Sequence, residues 1–217
     1  MMDAKFRNMG ISSLLIASFL ILLSACNPTT LTQVWKSPDY QGGPVEDIAI
    51  MAVFPSQGVS NRFEEIVSSE FQKAGIKTML GYKIVNGKRK LSKKELDEAL
   101  NKAGADDVLV FKFKGVEKQK TYYPPSVNVF PDFYYSYYRY WWYTYDVVRT
   151  PGYIQTDRWV QVESNLYQAK PDMLIWTGLS ETINPDGVEK LAESIAKEVI
   201  RKLSAEGLIK ANSEYLK

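Results

Sequence analysis

Residues Ile48-Ala-Ile-Met-Ala-Val-Phe54 form an uninterrupted apolar run, and their reading decides the fold. A strand sends successive side chains to opposite faces, so a run without polar alternation describes a strand covered on both sides. It is approached through a turn at Gln41-Gly42-Gly43-Pro44. Beyond it, Asn61 precedes Glu64 by three residues, a capping-box arrangement for a helix whose inward face is Phe63, Ile66, Val67 and Phe71. Gly75 ends that helix, and Ile76 supplies the apolar contact of a Schellman ending. Residues 76–85 read as strand with a break at Gly81, then an exposed Asn86-Gly87 turn. Ser92-Lys-Lys-Glu95 is a second capping box, opening a helix with Leu96, Ala99, Leu100 and Ala103 on one stripe and Gly104 at its end. Val108-Leu-Val-Phe111 starts the next strand, which then alternates through Lys112, Phe113 and Lys114. Strands separated by helices imply parallel crossovers.

Outward from this centre, residues 31–36 read as a short strand closed by Ser37-Pro38. Val160, Val162 and Leu166 alternate with Gln161, Glu163 and Asn165, the pattern of a half-buried antiparallel strand, and residues 173–179 form its hairpin partner across Lys170-Pro171-Asp172. Asn184-Pro185 reads as a helix start with proline in the first turn. Val188, Leu191, Ala192, Ile195, Val199 and Leu203 then form the clearest amphipathic stripe in the chain, with Gly207 and Leu208 closing it. The expectation is a single α/β (α+β) domain with a mixed β-sheet and about three helices, plus an aromatic-rich insertion. Neither a long linker nor an internal repeat divides it.

The chain has 217 residues, 45% hydrophobic, enough for a packed core. With 27 basic and 25 acidic residues the net charge is +2, a balance that gives no support to a protein working chiefly on nucleic acid or anionic lipid. Histidine is absent, which removes the commonest general base, zinc ligand and pH switch together. The single cysteine excludes an internal disulfide.

That cysteine is informative. Lys5 and Arg7 precede a short apolar run at 11–23, which is briefer than the ~20 apolar residues of a comfortable membrane span. A basic start, a greasy middle and a small-residue end describe an export signal. Leu23-Ser24-Ala25-Cys26 resembles the lipobox of bacterial lipoproteins. The resemblance implies cleavage before Cys26, diacylglycerol on its thiol and a third acyl chain on the new amino terminus. Two or three acyl chains, at ~0.8 kcal/mol per buried methylene, hold a protein essentially permanently. Residues 1–25 are then the signal peptide, 26–30 a polar tether and 31–217 the periplasmic domain with its insertion at 120–156. Loss of Asp3, Lys5 and Arg7 leaves 25 basic against 24 acidic residues. Because Asn27 is not aspartate, the resemblance favours the periplasmic face of the outer membrane in a diderm host. Val34-Trp35-Lys-Ser-Pro38, the helix from Phe63-Glu-Glu to Gly75-Ile76, and Leu174-Ile-Trp-Thr-Gly178 resemble an uncharacterised family of periplasmic α/β lipoproteins. The architecture is also similar to small α/β modules that assist envelope machines. Neither similarity carries a functional residue over.

Between Tyr122 and Tyr153 the sequence changes character, with Pro124-Pro125, Pro131 and Pro151-Gly152 fencing it off. Its centre holds Tyr134, Tyr135, Tyr137, Tyr138, Tyr140, Trp141, Trp142, Tyr143 and Tyr145. Neither a strand nor a helix can send all of these rings to one core. Four readings stand open: a flap over its own sheet, a surface for a protein partner or a second copy, a platform for cell-wall glycans such as peptidoglycan, and contact with lipid headgroups. Tyr and Trp bury large area with few rotors, which suits interface hot spots, and they also favour the membrane boundary. Bare aromatic surface invites aggregation unless it is used.

Catalytic constellations do not emerge. Asp106-Asp107 reads as a solvated turn rather than an acid/base pair, and Glu64-Glu65 and Glu193 with Lys197 read as solvated helix faces. Lys88-Arg89-Lys90 with Lys93 and Lys94 reads as a solubilising basic turn. Neither a nucleophile elbow nor a phosphate-cradling loop is found, and Gly42-Gly43-Pro44 is too short to serve as one. The sequence-level expectation is a non-enzymatic, lipid-anchored envelope protein without cofactor or metal, bound to the membrane through Cys26. It engages an envelope protein or its own copy through the Tyr/Trp flap, and not nucleic acid. A glycan-binding lipoprotein and a hydrolase with an unrecognised site are the alternatives.

Overall fold

Residues 48–53 of the apolar run become the body of a strand flanked on both sides by parallel neighbours, the arrangement that its composition demands. The computed structural model describes residues 29–88, 90–124, 137–139, 141 and 152–216. In chain order the elements are β1 (Thr29–Lys36), β2 (Asp47–Val53), α1 (Gln57–Lys73), β3 (Lys77–Leu80), a single turn α2 (Gly81–Ile84), α3 (Lys93–Ala103), β4 (Asp107–Tyr123), β5 (Tyr153–Gln168), β6 (Met173–Ile183) and α4 (Gly187–Ala205). They build one six-stranded mixed sheet in the order β1-β6-β5-β4-β2-β3. β2 runs parallel to β3 and β4, whereas β4-β5, β5-β6 and β1-β6 are antiparallel.

Ile48 and Ile50 enter the main core, while Ala49 and its neighbour Met51 join a smaller cluster on the opposite face. In the main core Phe63, Val67 and Phe71 of α1 meet Ile195, Val199 and Leu203 of α4 over Leu109, Phe111, Val162, Leu166 and Trp176 of the sheet. On the other face Leu100 of α3 packs with Ala49, Ala105 and Val108. Among the described residues no helix is long and apolar enough to cross a membrane.

Local signals explain most boundaries. Ser92 and Glu95 form the reciprocal capping box, with Glu95 N donating to Ser92 Oγ at 3.3 Å and Ser92 N to Glu95 Oε2 at 2.8 Å. Ile76 N donates to Phe71 O and Gly75 N to Gln72 O, both at 3.0 Å, with Gly75 at φ 85° as the Schellman ending requires. Four expectations are corrected. α1 begins at Gln57 rather than near Asn61, because Glu64 turns inward instead of closing a box. Residues 76–85 are strand only to Leu80, after which Gly81 opens α2. α4 starts at Gly187, not at Asn184-Pro185, because Asn184 at φ 47° is engaged with β5: its Oδ1 accepts from Arg158 N at 2.8 Å. Thr29 and Thr30, expected in the tether, instead open β1.

Fully buried Ile50 and exposed Val53 share β2. Ile50→Ala should lose about 2–5 kcal/mol in urea unfolding, and Val53→Ala about 0.5 kcal/mol or less.

Candidate functional site

β4 and β5 run well past the rest of the sheet. The last level shared by four strands is Thr29↔Thr182↔Val160↔Val116. Beyond Trp159↔Ile183, β4 and β5 pair only with each other, from Lys118↔Arg158 to Tyr123↔Tyr153. Residues 120–123 and 153–156 of the expected insertion are thus the stem of a two-stranded ribbon. Its end is aromatic: the rings of Tyr123 and Tyr153 stack with centroids 5.1 Å apart at 16°, and Tyr122 (62%), Tyr153 (60%) and Ile154 (64%) are exposed. Gly152 lies so close beneath Tyr122 that a Cβ there would stand 2.5 Å from the phenol oxygen.

Pairing assigns the ribbon's two faces. Val116, Lys118, Lys120 and Tyr122 stand opposite Val160, Arg158, Thr156 and Ile154 on one face. Glu117, Gln119, Thr121 and Tyr123 stand opposite Trp159, Asp157, Gln155 and Tyr153 on the other. Asp157 on that second face accepts from Gln155 at 2.9 Å and Asn184 at 2.7 Å, which holds its carboxyl below the usual range. A bulge between Phe113 and Gly115 (φ 154°) lies just inside the sheet, shortly before the ribbon departs.

Of the residues expected to bind a partner, Tyr137 (90% exposed), Tyr138 (60%) and Trp141 (65%) are surface side chains in helical backbone. Tyr134, Tyr135, Tyr140, Trp142, Tyr143 and Tyr145 lie outside the described residues, as does Cys26. The cationic face of Lys118, Lys120 and Arg158 was missed in the sequence. Its signal was the two-residue spacing of Lys118 and Lys120, visible only once Arg158 is placed across from them.

A crevice of about 640 Å³ opens at the carboxyl ends of β2 and β3, where the chain leaves one strand for α1 and the other for α2. Such switch points are the usual ligand positions of α/β sheets. Phe54, Ser60, Glu64, Tyr82, Lys88 and Lys90 help to line it. Glu64, expected on a solvated face, is buried. Its Oε1 accepts from Ala52 N at 2.9 Å and its Oε2 from Tyr82 N at 2.8 Å. Burial pushes its carboxyl up, and the backbone N–H groups of Tyr82, Ala52 and Gly81 pull it back. With both oxygens engaged, Glu64 fastens β2 to α2. Glu65 stays on the surface as expected, within reach of Arg62 and the Tyr82 hydroxyl.

At the amino ends of the parallel strands, Asp107 is also buried, a correction to the solvated-turn reading, while Asp106 is exposed. Burial first, then the nearby charges of Asp106 and Asp47, push Asp107 up to about 6. Asp47 itself pairs with Lys77 at 2.5 Å. Among the described residues no group of three or more carboxylates could hold a metal ion. Lys93 pairs with Asp172 at 2.7 Å and Lys94 with Glu98 at 3.9 Å, while Glu193 pairs with Lys190 at 3.1 Å rather than with Lys197.

No protein-family model and no curated protein sequence matches the chain. Solved structures similar to it include the PelC dodecamer from Paraburkholderia phytofirmans, with 12% identity and a TM-score of 0.45 over 85% of this chain and 99% of that one. A point variant of the same dodecamer gives 12% and 0.44 over 86% and 100%. Lipoprotein GNA1162 from Neisseria meningitidis gives 11% and 0.37 over 74% and 99%. No residue role passes from them to this chain.

Two variants check the buried carboxylates. Glu64→Ala strands two backbone N–H groups and should cost about 3 kcal/mol in urea unfolding. For Asp107 the folded state holds its proton more tightly than the unfolded chain, so its contribution to stability falls as pH rises from the ordinary aspartate range through about 6. Asp107→Asn should therefore raise the melting temperature at pH 7.5 by about 2–4 °C, a gain that closes toward pH 4.

Proposed function

We propose that the chain is a lipid-anchored protein of the cell envelope, held through Cys26 at the periplasmic face of the outer membrane, and that it works by binding rather than catalysis. The contact element is the aromatic ribbon with the segment it carries, and the partner is another envelope protein. The observation that carries this reading is the concentration of exposed rings in one stretch of the chain: Tyr122, Tyr123 and Tyr153 on the stem, with Tyr137, Tyr138 and Trp141 in the sequence between its strands. Rings of this kind bury large area at low rotamer cost, as interface anchors do. The non-catalytic part draws support from Glu64, whose oxygens are both taken by backbone donors.

Photocrosslinkers placed at positions 138 and 141 in the native host test the proposal. The expected result is one envelope protein captured from both positions, whose affinity for the purified chain drops at least tenfold on combined Tyr123→Ser and Tyr153→Ser substitution. Capture of nothing, or an affinity unmoved by those substitutions, overturns it.

A further inference from the structure

The folding of the ribbon does not account for its cationic face. Lys118 stands directly across from Arg158, and Lys120 follows two residues on along the same face. Like charges at opposed positions destabilise an antiparallel pair. Among the described residues none of these three cations has an acidic partner, whereas Lys114, nearer the sheet, pairs with Glu163 at 3.1 Å. Exposed Val116, Tyr122 and Ile154 share that face. Cations set among aliphatic and phenolic side chains match a phospholipid headgroup layer, where amines and guanidinium meet phosphates and tyrosine favours the boundary.

The register supplies the position. Thr29 lies level with Val160 and Val116, at the end of the sheet from which the ribbon departs. From Cys26 to Thr29 the chain spans at most about 11 Å. The ribbon continues from Val116 to Tyr123, about 23 Å at strand rise. It therefore outreaches the tether on the side where the anchor enters. We infer that the Lys118, Lys120 and Arg158 face docks on the anionic headgroup surface of the membrane that holds the chain, a placement that rests on Cys26 being acylated. The near-neutral overall charge hides this face because its cations are gathered on one side of the ribbon while Glu117 and Asp157 stand on the other.

The test uses the mature chain from residue 26 with Cys26→Ser, which removes only the acyl groups, and vesicles of phosphatidylethanolamine with phosphatidylglycerol against vesicles of phosphatidylcholine. The expected result is binding to the anionic vesicles, weakened by salt and reduced about a hundredfold by combined Lys118→Gln, Lys120→Gln and Arg158→Gln. Lys94→Gln, a cation on α3, should leave binding unchanged. Circular dichroism melting confirms that the variants fold. Equal affinity for both vesicle types, or no response to the triple substitution, overturns the inference. Mass spectrometry of Cys26 separates the two claims. An unmodified thiol with anionic vesicle binding intact removes the anchor and leaves the ribbon's lipid contact supported. An acylated thiol without anionic preference refutes the ribbon contact alone.

Discussion

The rung that joins Thr29, Thr182, Val160 and Val116 crosses four strands and sets the geometry on which the functional reading stands. It is fastened by side chains as well as by the backbone ladder: Thr29 Oγ1 lies 2.7 Å from Thr182 Oγ1 and donates to Ser194 Oγ on α4 at 2.8 Å. Both threonines are buried, so these hydroxyls have no water to turn to, and the start of the described chain is pinned to the sheet and to the helix beneath it. A one-residue slip of β1 would break both hydrogen bonds and turn Thr29 to the other face. Chain entry and ribbon departure are consequently held at the same end of the molecule.

The remainder of the fold keeps that end fixed relative to the core. β2 fills both faces, so helices must cover both, and its successors β3 and β4 fall on either side of it. Glu64 closes the junction by accepting from the N–H of Ala52 near the end of β2 and from that of Tyr82 in α2. A carboxylate in this position works as a piece of backbone. The ribbon, by contrast, has no core of its own. Outside the sheet it relies on cross-strand pairs such as stacked Tyr123 and Tyr153, and an isolated two-stranded ribbon in water is marginal. Contact with a surface is the natural complement of such an element.

The sequence revealed burial better than it revealed partnership. Continuous hydrophobicity at 48–54 and the stripe through Leu191, Ile195 and Val199 led directly to a strand covered on both faces and to the last helix, because each pattern matches one way of being buried. The capping box at Ser92 was legible because its two partners are three residues apart. Glu64 and Asn184 were misread for the opposite reason: their hydrogen bonds go to Tyr82 and Arg158, distant in sequence, and local spacing cannot distinguish a cap from a tertiary tie. The same holds for the candidate site. The aromatic richness around residue 140 was plain, but the stem and its cationic face depend on the pairing of residues 117–123 with 153–159, which no single strand pattern contains.

Chain entry at Thr29 and the ribbon's departure share one end of the sheet, and it is this end that we propose meets lipid. Because the only cysteine is the one proposed to carry acyl chains, a cysteine introduced at Ile154 provides a single free thiol for a nitroxide label on the acylated chain in its membrane. The central measurement is the accessibility of that label to apolar oxygen against a water-soluble nickel chelate, compared with a label at Asp172 in the hairpin at the opposite end. Preferential oxygen contact at position 154 with full chelate access at 172 is the predicted result; equal chelate access at both positions contradicts the account.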